Sequence, residues 1–79
     1  MRQLEELLLF LARSLVDEPD KVEVEGRETD SRVDLTLRVA PDDIGKVIGR
    51  HGRIIKTIRT VMKAASVKAN KRINVEVAD

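Results

Sequence analysis

The stretch IGKVIGRHGRIIKTIR, residues 44–59, holds three of the four glycines in the chain, at positions 45, 49 and 52. Isoleucines and basic residues surround them at a spacing typical of helices. Each glycine inside a helix costs about 1 kcal/mol relative to alanine. The glycines therefore work against the helix that their neighbours favour, and the purpose they serve decides the fold of this region.

Gly49-Arg50-His51-Gly52 is the centre of this stretch. A glycine can end a helix by taking the left-handed backbone, and a second glycine can begin the next helix with no side chain over its amino end. We predict a tight turn between two helices here, with exposed amides and flanking cations suited to a sugar-phosphate backbone. A GxxG turn also occurs at ordinary helix corners, and that alternative stays open at this point.

The residues around the turn favour nucleic acid. Gly45 lies one helical turn before Gly49 and leaves a bare strip of backbone on the same face, although it would also allow two helices to pack closely. Ile55 is expected about a quarter-turn off the core stripe, toward that strip. Cations border the strip at Arg50, Arg53, Lys56, Arg59 and Lys63. This pattern suits bases on an aliphatic floor with phosphates along the turn.

Charge is distributed unevenly along the chain. Residues 1–43 contain twelve Asp or Glu against six Arg or Lys, whereas residues 44–75 contain nine Arg or Lys and no acid. This asymmetry favours a polyanionic partner over two solvated faces of opposite sign. The 79 residues include no cysteine, no run as long as a membrane span and no signal-peptide pattern, so we expect a cytoplasmic protein.

Hydrophobic periodicity predicts the remaining elements. A first helix over residues 2–19 carries an apolar stripe of Leu4, Leu7, Leu8, Leu11 and Leu15. Alternating apolar residues predict strands over 21–25, 32–40 and 72–77, and the polar segment GRETDS, residues 26–31, predicts a turn. Two more helices are predicted from Pro41 to about Ile48 and from about Arg53 to Ala69. The predicted buried side of the last helix is Ile54, Ile58, Val61, Met62 and Ala65.

The element order α-β-β-α-α-β predicts one α+β domain over residues 1–79. Every strand is apolar on one face only, so three helices on one face of a three-stranded mixed sheet would bury all the apolar faces in two layers. The connection between the second and third strands carries two helices. We therefore expect these strands to be parallel and joined by a right-handed crossover.

The stretch IGKVIGRHGRIIKTIR resembles the motif of the KH domain, an apolar-Ile-Gly-x-x-Gly-x-x-apolar core. The element order matches the bacterial type II KH fold, and the likeness extends over essentially the whole chain, as in the small stand-alone bacterial KH proteins of the KhpA kind. The resemblance implies a backbone clamp for single-stranded RNA, made by Gly49, Arg50, His51 and Gly52. It further implies a base groove lined by Gly45, Ile48 and Ile55, with phosphate or base-edge partners at Lys46, Arg53, Lys56 and Arg59.

The other wall of that groove is expected from the strand over Leu35–Val39, with no particular side chains assigned. GRETDS would then be the variable loop, and its acidity argues against further RNA contacts. One KH clamp reads about four nucleotides, so useful affinity is expected to need two domains acting together. The resemblance points to a homodimer or to pairing with a larger Jag-type KH protein, and to a small RNA chaperone or post-transcriptional regulator.

Catalysis finds little support in the sequence. The chain has no thiol, a single histidine, no phosphate-loop GxxxxGK[ST] and no dinucleotide-binding GxGxxG, and we expect no enzyme activity, cofactor or metal. An RRM would need aromatic residues on its sheet, but the chain has one, Phe10 in the first helix. Two hypotheses remain: a single-stranded RNA binder, or a KH-fold dimerisation module that uses Leu9, Phe10 and Val16, which fall off the helix stripe, or the groove itself.

Overall fold

The computed structural model describes residues 2–78, which form three α-helices and a three-stranded sheet in the predicted order. The elements are α1 (Arg2–Arg13), β1 (Glu23–Glu28), β2 (Arg32–Arg38), α2 (Ile44–Ile48), α3 (Arg53–Ala65) and β3 (Arg72–Val77). Short 3-10 helices join them at Pro19–Lys21, Pro41–Asp43, Arg50–Gly52 and Ser66–Ala69. The α+β prediction is confirmed.

The sheet has the order β1-β2-β3, with β2 in the centre. β1 runs antiparallel to β2 with Gly26 opposite Leu35, and β3 runs parallel to β2 with Val75 opposite Leu35. The helices cover one face of this mixed sheet, so the two layers and the parallel crossover are those of a type II KH fold, as predicted. The helices cover only one face because the residues of the central strand alternate between buried and partly or fully exposed positions.

The core lies between the sheet and the helices. Its buried members come from all three helices and from β2 and β3, with Val22 just before β1. Leu8 of α1 and Met62 of α3 are completely buried and belong to the same core cluster as Leu35 and Leu37 of β2. α2 contributes Val47, also completely buried. A helix of only five residues is not stable alone, so this burial is part of what holds α2 in place.

Helix α1 ends earlier than predicted, at Arg13 rather than near Pro19. The hydroxyl of Ser14 donates a hydrogen bond to the carbonyl of Phe10 at 2.7 Å, and the amide of Leu15 donates to Ala12, three residues back, at 3.0 Å. Such local bonds tighten the last turn and compete with further helix. Leu15, predicted to belong to the buried stripe, is 37% exposed as a result.

The buried side of α3 was predicted in part. Ile58 and Met62 are buried as predicted, and Ile55 is buried as well, whereas Val61 is exposed and Ile54 is half-buried. Ala65, also predicted to be buried, is exposed. α3 packs on the sheet and also beside α1 and α2. Apolar residues therefore occupy a wide arc of the helix, and the sheet takes the side that includes Ile55. The expectation that Ile55 lies off the core stripe is wrong.

The segment GRETDS is more regular than a loop. Its first three residues, Gly26 to Glu28, continue β1, and only Thr29 to Ser31 make the turn. The amide of Thr29 donates to the carbonyl of Arg32 at 2.8 Å and closes a short hairpin. The side chain of Lys71, just before β3, is hydrogen-bonded to Glu28 and ties this hairpin to the third strand. That bond lowers the pKa of Glu28 below its ordinary value.

Candidate nucleic-acid interface

The turn between α2 and α3 has the geometry that its glycines permit. Gly49 has φ 79° and ψ 172°, a backbone conformation essentially restricted to glycine. A Cβ atom on Gly49 would lie 2.5 Å from Cγ1 of Ile54, closer than two carbon atoms can approach. Its amide donates to the carbonyl of Gly45 at 2.9 Å and closes the last turn of α2. Conformation and space therefore both require glycine at position 49.

The next positions carry the left-handed backbone. His51 has φ 56° and ψ 27°, and Gly52 has φ 71° and ψ 19°. Histidine is among the side chains that accept this region most readily. The amide of Gly52 donates to the carbonyl of Gly49 at 3.1 Å, so four residues make a closed turn. The side chains of Arg50 and His51 are exposed at its tip. The predicted tight turn is confirmed.

Two amides of the turn face no internal acceptor. Within residues 2–78, the amides of Arg50 and His51 make no hydrogen bond to a backbone or side-chain acceptor, whereas those of Gly49 and Gly52 do. Successive backbone amides form a concave site that favours anions when a right-handed residue is followed by a left-handed one. The turn thus presents two donors and the Arg50 guanidinium to the solvent.

Gly45 serves no packing purpose within residues 2–78. It is exposed, and a Cβ atom on it would meet none of these residues within 4 Å. The alternative that this glycine lets two helices approach closely is therefore wrong for the contacts within the described residues. What remains is a bare strip of α2 backbone, open to solvent, one turn before Gly49. Ile48, also predicted for the groove, is half-buried beside it.

Lys46 is not free. Its ammonium donates to Asp17 Oδ2 at 2.6 Å and to Asp43 Oδ1 at 3.4 Å. The hydrogen bond to Asp17 outweighs the partial burial of the ammonium, and the pKa of Lys46 is raised above its ordinary value. A residue predicted to contact RNA thus has acidic partners within the chain.

Asp43 joins the start of α2 to residues 17 and 18, which follow α1, and this junction is called the Asp43 corner. The sequence analysis did not identify Asp43. It is 1% exposed, and its carboxylate accepts the amides of Asp17 at 3.2 Å and Glu18 at 3.1 Å besides the ammonium of Lys46. Burial favours the neutral acid, but these donors outweigh it, so the pKa of Asp43 is lowered. The only signal in the sequence, two aspartates after Pro41, does not distinguish the inward carboxylate from the outward one.

Arg59 joins α3 to the edge of the sheet. Its Nε donates to the carbonyl of Val75 in β3 at 3.0 Å. The strand beside the basic face of α3 is therefore β3. The expected wall, Leu35–Val39, is mainly the central strand, and Leu35 and Leu37 are buried under the helices. That expectation is wrong, because a central strand has its core-facing side chains covered.

Arg53 and Lys56 are the free cations of the first turn of α3. Both are exposed, and neither makes an ion pair with any residue from 2 to 78. Ile55 lies between them along the chain and is buried below the turn, with its Cγ2 3.9 Å from where a Cβ atom on Gly52 would stand. The structure thus brings the clamp residues, Arg53 and Lys56 to one end of the helical layer, while Lys46 and Arg59 have internal partners.

A second surface lies between α1 and α3. Phe10 is 67% exposed, and with Leu15, Ile54 and Val61 it borders an apolar groove of about 420 Å³. Of the three residues that fell off the predicted stripe, only Phe10 is exposed. Leu9 and Val16 are half-buried against the core.

The described residues offer few other sites. Residues 2–78 contain no group of three or more acidic or histidine side chains able to hold a metal ion. In the same range, no helix has both the length and the apolar character to cross a membrane.

Comparison with known proteins gives the relatives of this chain. The profile of the family described as KhpA/KhpB, KH domain, matches residues 5–77. The RNA-binding protein KhpA of Clostridium acetobutylicum is 54% identical over 74 residues, 94% of this chain and 99% of that protein. The protein of the same name from Bacillus subtilis is 42% identical over 78 residues, 99% of this chain and 96% of that protein.

Two solved structures are similar in fold. A single-residue variant of Aquifex aeolicus Era, bound to GDP and aluminium fluoride, matches with a TM-score of 0.70 at 16% identity, over 95% of this chain and 29% of that one. Era in complex with MgGDPNP and nucleotides 1506–1542 of 16S ribosomal RNA matches with a TM-score of 0.69 at 16% identity, over 94% and 28%. This chain therefore spans less than a third of the Era chains.

Proposed function

The chain belongs to the KhpA/KhpB family of KH domains, and we propose that it is a non-enzymatic RNA-binding protein. In this proposal residues 1–79 are one type II KH domain that holds short single-stranded RNA at the GxxG turn. The observation that supports it most is the turn itself, which combines a glycine-only backbone at Gly49, two amides without an acceptor in residues 2–78 and the exposed side chain of Arg50. The names of the curated relatives agree with RNA as the ligand.

A sugar-phosphate backbone would run along the turn. Its phosphates accept hydrogen bonds from the amides of Arg50 and His51 and lie near the cations Arg53 and Lys56. Bases lie over the bare strip at Gly45, where no side chain blocks their approach. The proposed RNA-binding residues are Gly45, Lys46, Ile48, Gly49, Arg50, His51, Gly52, Arg53, Ile55, Lys56 and Arg59.

Eight of these residues have three different roles. The clamp and the two free cations would contact RNA directly. Arg59 keeps one nitrogen on the carbonyl of Val75 and offers the rest of its guanidinium, since that group carries five donors. Ile55 is buried and acts from below, by supporting the turn.

A salt titration tests the RNA proposal. Single-stranded RNA should bind weakly, with log affinity falling against log salt at a slope of roughly −0.7 for each phosphate neutralised. Duplex RNA of the same length should bind much less, because a turn that needs splayed bases cannot read an A-form helix. Equal affinity for duplex, or an affinity that salt does not change, would contradict the clamp.

We also propose that the chain acts as a dimer, either with itself or with a larger Jag-type KH protein, and serves as a small RNA chaperone or post-transcriptional regulator. One clamp of about four nucleotides gives little affinity alone, so a second clamp in the same assembly raises it. The apolar groove between α1 and α3 supplies an exposed surface for association, and it also favours the second candidate function, a dimerisation module with little RNA binding.

Phe10 makes the dimer testable. Sedimentation of the parent chain at high micromolar concentration should show dimer, and Phe10→Ser should shift it toward monomer. Leu9→Ser is not a suitable control, since Leu9 contributes to the core, whereas Arg13→Ser leaves the core intact. Parent chains that stay monomeric alone and when mixed with a Jag-type KH protein would refute the proposal.

A further inference from the structure

Lys46 lies in α2, three residues before Gly49, and belongs to the proposed RNA-binding residues. Its ammonium is held by two carboxylates, Asp17 and Asp43. A cation proposed to bind phosphate therefore already has anionic partners within the chain, and the two partners have different roles.

The carboxylates of Asp17 and Asp43 differ in burial and in their hydrogen-bond partners. Asp43 is buried and accepts two backbone amides, so it is required for the corner itself. The side chain of Asp17 is 76% exposed, and within residues 2–78 its carboxylate has Lys46 as its partner. The attachment of residue 17 to the corner is made by its backbone amide, not by its side chain. The carboxylate of Asp17 is therefore dispensable for the contacts that fix the segment between α1 and β1.

We propose that Asp17 competes with an RNA phosphate for Lys46 and so lowers the affinity of the proposed RNA site. In the parent chain the Asp17 carboxylate occupies the place on the ammonium that an RNA phosphate would otherwise take, while Asp43 keeps its two amides and stays on the ammonium. Exposed ion pairs contribute little to stability, so the loss of this one does not disturb the fold. The inference rests on the proposed function, because a competitor has a role only if RNA reaches Lys46.

The competition has a distinctive signature in the salt dependence. When Asp17 holds Lys46, the ammonium neutralises a carboxylate rather than a phosphate, and no counterion is released from RNA on its account. Without that carboxylate, Lys46 neutralises one more phosphate. The slope of log affinity against log salt then becomes steeper by roughly 0.7. An Asp17–Lys46 ion pair with only a structural role would not change that slope.

Asp17→Asn is the test and Asp42→Asn its matched control. Both remove one exposed negative charge near α2, but Asp42 makes no ion pair with any residue from 2 to 78. Asp17→Asn should bind single-stranded RNA about two- to fivefold more tightly than Asp42→Asn, with the steeper slope. The same affinity and slope for the two variants, or weaker binding by Asp17→Asn, would overturn the inference.

The Lys46→Met background keeps the test decisive if Asp17→Asn alters stability. With the contested ammonium removed, Asp17→Asn should give no more RNA affinity than Asp42→Asn does. If Asp17→Asn still raises RNA affinity in the Lys46→Met background, Asp17 acts through the overall electrostatic field of the protein rather than through Lys46. That result would overturn the inference and leave the RNA proposal standing. A parent chain that binds no RNA would refute the proposed function itself, so the two failures are distinguishable.

Discussion

The two ends of α2 are both polar, and they use their polar groups in opposite ways. At its amino end, the buried carboxylate of Asp43 accepts two amides and an ammonium, all from this chain. At its carboxyl end, the turn leaves the amides of Arg50 and His51 without an acceptor in residues 2–78 and exposes both side chains. One end is satisfied internally and holds the helix in place. The other end is open and therefore suited to a ligand.

The comparison explains how five helical residues can position a binding turn. α2 is too short to be stable alone, so its place depends on the Asp43 corner at one end and on Val47 in the core. A site built on such an anchored element is already ordered before the ligand arrives. Variants at each end of α2 test this difference.

Gly49→Val should have the largest effect. It places a β-branched side chain at φ 79° and against Ile54, and the strain and overlap together should cost at least about 3 kcal/mol of unfolding free energy. Gly45→Val is the matched control, because a Cβ atom at this position meets nothing within 4 Å among residues 2–78, and stability should change by less than about 0.5 kcal/mol. Equal denaturation midpoints for the two variants would contradict the geometry of the turn.

Asp43→Asn should come next, with a lower melting temperature and weaker RNA binding as a consequence of the loosened corner. The amide keeps one acceptor where the carboxylate had two and brings its own donors toward the amides of Asp17 and Glu18. Asp42→Asn, at the exposed neighbour, should melt within a degree or two of the parent. Similar melting of the two variants would show that the corner does not anchor α2.

The same corner should make stability depend on pH in a defined direction. The pKa of Asp43 is lowered in the folded chain, so its contribution is present above the unfolded value and is lost as pH falls below about 4. The pKa of Lys46 is raised, so its contribution is lost only as pH rises above about 10.5. Melting temperature measured across pH should therefore fall at both extremes, and Asp43→Asn should flatten the acid limb. An unchanged acid limb would contradict the assignment.

Gly45→Ala should have the smallest effect on the fold and the opposite sign. Alanine in place of an exposed helical glycine should raise stability by about 0.5–1 kcal/mol. RNA affinity should nevertheless fall, since the new methyl group stands on the strip where bases are proposed to lie. A variant that is more stable and binds RNA as well as the parent would show that the bare strip has no part in binding.

The sequence predicted the turn and the layers well because each depends on local rules. The alternation of β2 and β3 and two glycines three apart are visible without knowledge of distant contacts. Which side of α3 is buried could not be predicted fully in the same way. Ile54 and Ile55 both lie within the apolar arc, and the choice between them depends on how the sheet, α1 and α2 divide the helix surface.

The contact partners of the charged residues could not be predicted from the sequence for a similar reason. Asp43 accepts an amide from a residue 26 positions away, and Lys46 reaches Asp17 across 29 positions. No periodic pattern connects such residues, so the acidic partners of Lys46, predicted as a phosphate or base-edge partner, were not anticipated. The wall of the groove was assigned wrongly because the position of a strand within the sheet depends on pairing, which alternation alone does not specify.

The double variant Arg50→Asp with His51→Asp tests whether the open end of α2 binds the RNA backbone. Both side chains are exposed, and aspartate accepts the left-handed backbone of position 51, so unfolding free energy should change by less than about 0.5 kcal/mol. Arg27→Asp with Thr29→Asp changes the charge equally at the exposed hairpin and serves as the control. RNA affinity should be lost in the first pair and largely kept in the second. If the first pair binds RNA as well as the control does, the turn is only a helix corner.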